Sequence, residues 1–414
     1  MSTNPNSPET DVRMRGFTRR STVEQALAWL DAQLRTLASE RLPLTEVAGR
    51  VLAASVTSAV DVPGFDRAMM DGFAVQAASV EGATQYNHIP LEVIGQALPG
   101  AAFGATVARA QAVKIMTGAP IPAGADAVLP AELAQTRERQ VFAHGEVSPG
   151  KNIGRRGEDI TAGTKLLEQG RALRPQDVGL LSSVGVADVD VVRRPSVRIV
   201  VTGNELLPAG TPPQGYQIAD ANGPMLSALV VRDGGRVASC RIVPDHRETI
   251  SGALSEPADV VLVSGGSSVG QEDYVPVLLS ERGELAVHGV AMRPSSPTGM
   301  GRLDGRLVFL LPGNPVSCLC AYDFFAGRAI RALGGRAKSW PYRSVKAPLA
   351  RKISSVIGRL DYARVKLVDG HVEPLSIGGA SVLSSTTRAD GFVIVAADSE
   401  GHPSGAQVEV FLYD

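Results

Sequence analysis

Apolar and polar positions repeat with different periods along this chain, and the changes of period mark its parts. Near the start, Val23, Leu27, Leu30 and Leu34 recur at helical spacing, and Ser21 with Glu24 stands ahead of them as a capping box. A helix is predicted there. From about Val51 to Ser148 short apolar pieces, such as 91–95 and 111–115, are separated by Pro-Gly turns, which predicts a small β-rich insertion. The stretch 151–190 returns to mixed character, with a helix candidate over 177–181. It is expected to pack back on the first helix, making the N-terminal domain discontinuous.

From Arg194 to about Gly335 the pattern is strand, loop, helix, repeated. The runs 197–201, 260–263 and 307–311 are almost continuously apolar, and each leads into a glycine-bearing loop. Helical runs are predicted over 225–231 and 316–332. Such strands predict a parallel sheet covered on both faces, with ligand-binding loops gathered at the carboxyl ends of its strands. Beyond Trp340 the chain alternates again, in short strands at 391–395 and 408–411, as in a small β-barrel or sandwich. The fold class is α/β plus β, multidomain. Its expected parts are a disordered head (1–15), a discontinuous N-terminal domain (16–50 with 149–192), the β-rich insertion (51–148), a three-layer α/β domain (193–337) and a C-terminal β-barrel (338–414).

Composition narrows the function. The 414 residues are 44% apolar and 20% charged, ordinary for a globular chain of roughly two to four domains. A net charge of −1 offers no basic field for nucleic acid or anionic lipid, so anion binding must come from a local site. The three cysteines, Cys240, Cys318 and Cys320, lack metal-type spacing and point to a reducing compartment, with the last two as buried small hydrophobes. The histidines are scattered. The first residues lack the apolar core of a signal peptide, and no run reaches membrane-spanning length, so a cytoplasmic protein is expected.

The sharpest chemical signal is Ser264-Gly265-Gly266-Ser267-Ser268-Val269-Gly270-Gln271-Glu272-Asp273-Tyr274. It follows an apolar strand and precedes a helix. Glycines let backbone N–H groups approach a phosphate closely. Asp273 sits where the helix should begin, and a carboxylate beside a phosphate repels it unless a cation lies between. The loop therefore suggests a phosphorylated ligand with a divalent metal.

Six segments occur in an order that resembles one family: Pro63-Gly64-Phe65-Asp66-Arg67-Ala68-Met69-Met70-Asp71-Gly72-Phe73-Ala74-Val75; Ile115-Met116-Thr117-Gly118-Ala119-Pro120; Gly154-Arg155-Arg156-Gly157-Glu158-Asp159-Ile160; Thr202-Gly203-Asn204-Glu205-Leu206; the Gly265-Gly266 loop to Tyr274; and Leu311-Pro312-Gly313-Asn314-Pro315-Val316-Ser317. The chain resembles the molybdopterin molybdenumtransferases, bacterial MoeA and the E domain of gephyrin, from about Phe17 to Tyr413. The resemblance implies an elongated homodimer whose active site lies between the α/β domain and parts of the partner subunit. It implies a reaction in which molybdate is inserted into adenylylated molybdopterin with Mg2+-dependent release of AMP, and the adenylyltransferase of the same pathway becomes a candidate partner.

Carried over residue by residue, the resemblance implies functional roles for Asp71, Thr117, Asp159, Glu205, Asp245 and Asp273, with Glu205, Asp245 and Asp273 as metal ligands. It implies substrate contacts at Asp220, Gly265, Gly266, Ser267, Ser268, Gly270, Arg293, Ser296, Pro297, Pro312, Pro315, Ser317, Arg364 and Ser381. Plainer readings stand beside these. Asp71 fits a turn former, Thr117 a cap of the following turn, and Asp159 or Arg364 a surface charge. Glu205, Asp220, Asp245 and Asp273 fit helix caps, and Ser317 and Ser381 simple turn or strand positions.

One departure matters. The family's Lys-Pro-Gly-Lys-Pro loop is Arg293-Pro294-Ser295-Ser296-Pro297 here, and an upstream lysine of the bacterial pattern is Gly289. Arginine keeps the charge with a different shape, whereas Ser296 loses it. Losing one charge-assisted contact costs about 1.5–3 kcal/mol, roughly a tenfold to hundredfold loss of affinity. Either Arg293 compensates, another cation fills in, or the oxyanion is handled differently. The alternative to a transferase is a weakly catalytic or non-catalytic molybdopterin carrier or scaffold. A generic nucleotide-binding α/β enzyme would explain the loops but not the flanking motifs.

Overall fold

The structure, a computed structural model, describes residues 20–265, 274–376 and 379–413. The head expected to be disordered lies outside them. The chain divides into two compact units: Met1–Glu40, Gly49–Val51 and Asp190–Asp414 form one, Arg41–Ala48 and Leu52–Val189 the other.

The first unit is built on a six-stranded sheet. Its order is Arg236–Val243, Ser196–Thr202, Val260–Ser264, Arg306–Leu311, Gly299–Leu303, Glu284–His288. Side chains alternate between faces, so even a continuous apolar run feeds two cores. Val197, Ile199, Leu262 and Phe309 join one buried cluster, and Val200, Val261, Val263 and Val308 the other. Helices Asn222–Arg232 and Pro315–Ala321 cover the first face, and Arg247–Ser255 and Tyr274–Arg282 cover the second, giving three layers.

The sheet departs from the fully parallel expectation. Its first four strands are parallel, but Gly299–Leu303 runs antiparallel to both of its neighbours, Arg306–Leu311 and Glu284–His288. The cause is a two-residue turn, Asp304-Gly305, with φ of 50° and 80°. Positive φ at both positions is what a tight hairpin with matched twist requires.

The first helix, Val23–Gln33, also differs from expectation. Its cap is Thr22 with Gln25, because the backbone of Ser21 is taken by a bridge to Val290. Its buried stripe, Val23, Ala26, Leu30 and Leu34, joins the core of the α/β layer, and Asp31 pairs with Arg328 at 2.7 Å. The helix expected over 316–332 contains a π turn, Tyr322–Ala326, between α-helical pieces. Its Asp323, fully buried, accepts from Arg232 at 3.0 Å and from the Tyr342 hydroxyl.

The C-terminal strands Ser344–Pro348, Leu360–Val368, His371–Ser376, Gly391–Val395 and Gln407–Leu412 form a largely antiparallel sheet. A single bridge, Leu349 to Val372, links its two ends. The short strand Met292–Arg293 adds to this sheet, parallel to Leu360 and Asp361. That pairing ties the connection between Glu284–His288 and Gly299–Leu303 to the C-terminal strands and sets up the site below.

The second unit holds a six-stranded sheet ordered Ala127–Pro130, Gly72–Val75, Gln111–Ile115, Ile89–Ala97, Gln140–Ala143, Ala134–Arg137. Separate short pairings join Arg67–Ala68 to Ile153–Gly154 and Val56–Thr57 to Lys165–Leu167. Among the described residues no helix is long and apolar enough to cross a membrane.

Candidate functional site

Three parallel strands of the first unit end side by side at Thr202, Ser264 and Leu311, and the glycine-bearing loops leave from there. Gly265 has φ 95°, and a Cβ on it would lie 2.4 Å from the Thr202 carbonyl oxygen. Only glycine fits such an approach. Gly266, Ser267, Ser268, Gly270 and Asp273 lie outside the described residues.

Asn222 ties this edge together. Its Nδ2 donates to Ser264 Oγ at 2.8 Å and to the Gly313 carbonyl at 2.7 Å. Asp220 acts as a cap: its Oδ1 accepts from the amides of Asn222 and Gly223, both at 2.9 Å. Glu205 is no helix cap, because it precedes the short strand Leu206–Leu207. Asp245 stands one residue before the N-cap position of the following helix, His246, whose side chain makes no capping bond. The amide of Asp245 instead donates to Asn204 Oδ1 at 3.2 Å, which puts Asp245 beside the loop that carries Glu205. Carboxylates are the right donors for Mg2+, a hard cation. No group of three His, Cys, Asp or Glu able to hold a metal occurs among the described residues, and the third expected ligand, Asp273, is outside them.

Beside this edge opens a cavity of about 770 Å³. Of the expected substrate residues it is lined by Arg293, Ser296, Pro297, Pro312 and Ser317. Pro315, Arg364 and Ser381 are not in its lining. Arg364 is fully buried, which removes the surface-charge reading; its Nη2 reaches within 3.9 Å of a Cβ position on Gly379, a residue of the cavity wall. Ser381 is exposed and follows Ala380, also in the wall. Two further arginines, Arg20 and Arg359, line the cavity and were not among the expected residues. No local sequence signal marks Arg359.

Among the described residues the lining holds three arginines and no carboxylate. Beneath it, Asp361 is fully buried and pairs with Arg293 through Nε (3.1 Å) and Nη2. Ser355 Oγ donates to it at 2.7 Å. Ser295, at the family's glycine position, has φ 93° and donates from Oγ to the Ser317 carbonyl at 2.5 Å. A cavity of this kind suits an anion with several oxygens.

In the second unit, Asp71 Oδ1 accepts from Thr117 N at 2.7 Å and from Thr117 Oγ1 at 2.8 Å. These two bonds, the backbone one foremost, hold the Asp71 carboxyl below its ordinary range. Thr117 is thus a partner of Asp71. Asp159 is exposed and its amide is anchored to the Val62 carbonyl at 3.1 Å.

Comparison with known proteins agrees with this layout. Three family models match in order: the MoeA N-terminal region (domains I and II) over 21–185, a "Probable molybdopterin binding domain" over 198–332, and the MoeA C-terminal region (domain IV) over 346–413. Molybdopterin molybdenumtransferase 2 of Mycobacterium tuberculosis is 34% identical over 89% of this chain and 94% of its own. Molybdopterin molybdenumtransferase of Haemophilus influenzae is 32% identical over 90% and 93%. A crystal structure of the molybdopterin biosynthesis MoeA protein of Pyrococcus horikoshii superposes with a TM-score of 0.81 at 32% identity, covering 96% of this chain and all of that one. The chain belongs to the MoeA family, and is a transferase of molybdenum cofactor biosynthesis.

Proposed function

We propose that this protein inserts molybdate into adenylylated molybdopterin and releases AMP, with Mg2+ as cofactor. The observation that carries the reading is the cavity next to the Pro312-Gly313-Asn314-Pro315 turn, lined among the described residues by three arginines and no carboxylate. Both reactants are oxyanions, and guanidinium groups bind such oxygens with directed, charge-assisted hydrogen bonds. Molybdate is a substrate in this reading. The glycine-bearing edge at Gly265 would take the phosphate-bearing part. Glu205, Asp245 and Asp273 would hold Mg2+, which when bound neutralises charge on the phosphoanhydride. The protein's own residues bind and orient: Asn222 fixes the two loops, and Asp220 fixes the helix that carries Asn222. Asp71 and Thr117, from the second unit, are the further polar pair of the proposal. A homodimer, association with the pathway's adenylyltransferase and a cytoplasmic setting belong to the same reading.

A second reading, a carrier or scaffold with little activity, is favoured by one observation, the serine at position 296. The deciding experiment is AMP release from adenylylated molybdopterin with Mg2+ while molybdate or tungstate is titrated. Saturable, oxyanion-dependent release supports the transferase. Tight binding of the substrate without release at any oxyanion concentration would leave the carrier.

A further inference from the structure

We infer that Arg359 takes the part left open by Ser296 and gives the oxyanion its second cationic contact. The inference rests on the reading of the cavity as an oxyanion site. Among the lining arginines, Arg293 is committed elsewhere: Nε and Nη2 both engage Asp361. Asp361 also receives Ser355 Oγ, so each of its oxygens already has a donor. Arg359 approaches the same carboxylate with Nε, at 3.4 Å, and that nitrogen makes no hydrogen bond among the described residues. Its side chain is 34% exposed and lines the cavity. The carboxylate thus steers Arg359 by charge without consuming its fork of donors. A guanidinium fork set over a cavity whose described lining carries no carboxylate is suited to two oxygens of a tetrahedral dianion.

The pairing of strands explains how the replacement is possible. Met292–Arg293 runs parallel to Leu360–Asp361, so the loop that lost its lysine lies alongside the residues that follow Arg359. A cation on the second strand reaches the same cavity as one on the loop.

The test uses the full chain and two readouts, calorimetric binding of molybdate or tungstate alone and the half-saturating molybdate concentration for AMP release. Arg359→Gln is expected to weaken both by about tenfold to hundredfold, with the AMP-release rate at saturating molybdate within about twofold of the parent, since a contact to the bound oxyanion alters its binding first. Arg359→Lys should fall between. Ser296→Lys added to Arg359→Gln should restore both constants, a rescue that a merely structural role would not show. An unchanged half-saturation in Arg359→Gln, or failure of the rescue, would overturn the assignment. Should Arg359→Gln not fold, Ser296→Lys alone decides: a gain of under about threefold supports an already filled contact, and a gain of tenfold or more shows that the place was vacant. Oxyanion binding that depends on Arg359 without any AMP release would defeat the proposed reaction and leave this assignment standing.

Discussion

Arg293 meets Asp361 at two points, Nε to Oδ1 at 3.1 Å and Nη2 to Oδ2, and does so over a carboxylate with no exposed surface. The pair joins the connection between two strands of the α/β sheet, Glu284–His288 and Gly299–Leu303, to the C-terminal sheet. A buried carboxylate needs such partners, and its removal strands theirs. Asp361→Asn keeps the shape and removes the charge. Because Arg293 and Arg359 are each about one-third exposed and can rehydrate, the expected loss is about 1–3 kcal/mol, below the full cost of an uncompensated buried charge. Urea unfolding of the two proteins measures it.

Ser295 gives an inverted order of substitutions. Its φ of 93° disfavours any side chain, while its hydroxyl holds the Ser317 carbonyl. Ser295→Ala loses the hydrogen bond and keeps the strain, costing about 1–2 kcal/mol. Ser295→Gly loses the same bond but relieves roughly 1 kcal/mol of strain. The glycine variant should therefore be the more stable of the two in thermal unfolding, although it removes more atoms.

Gly265→Ala meets two obstacles at once, a φ of 95° and a backbone oxygen 2.4 Å from the new methyl. The Thr202 carbonyl cannot move without disturbing its strand. A loss of about 3 kcal/mol or more is expected, with weakened binding of adenylylated molybdopterin in any fraction that folds. Wild-type stability in the variant would contradict the described geometry of this edge.

Asp71 titrates below the ordinary aspartate value of 3.8 because Thr117 donates to it twice. A depressed carboxyl pKa means that the stabilisation from this contact is present at neutral pH and fades as the pH falls from the ordinary value through the folded one. Thr117→Val removes the hydroxyl donor and leaves the amide. The carboxyl should then titrate at higher pH, though still below 3.8, in carbon-13 NMR of the side chain. An unchanged titration would show that the hydroxyl contributes nothing.

The parts of the fold that were legible are those that local period determines. Strands Gln111–Ile115 and Val260–Ser264 follow from short apolar runs, and helix Pro175–Ser183 from its spacing. Partners across long separations were less legible. The stripe Val23, Ala26, Leu30 and Leu34 specifies an apolar face, but nothing in it says which sheet will cover that face. The antiparallel end of the sheet did have a signal, Asp304-Gly305, in a stretch otherwise dominated by the strand–helix alternation. The π turn at Tyr322–Ala326 has no local marker; it coincides with buried Asp323, whose partner Arg232 is distant in sequence. The site was legible in its motifs, which brought Arg293, Ser296, Pro297, Pro312 and Ser317 into one cavity. Arg359 was not, because its value depends on Asp361 being occupied by Arg293, a relation between side chains that no single segment contains.

The side-chain nitrogen of Asn222 serves Ser264 on one side and Gly313 on the other. Rotating that amide away from one partner takes it away from both. The start of the Gly/Ser loop and the Pro312-Gly313-Asn314-Pro315 turn thus share a latch, and loosening at this edge proceeds as a single kinetic event in which both walls let go together.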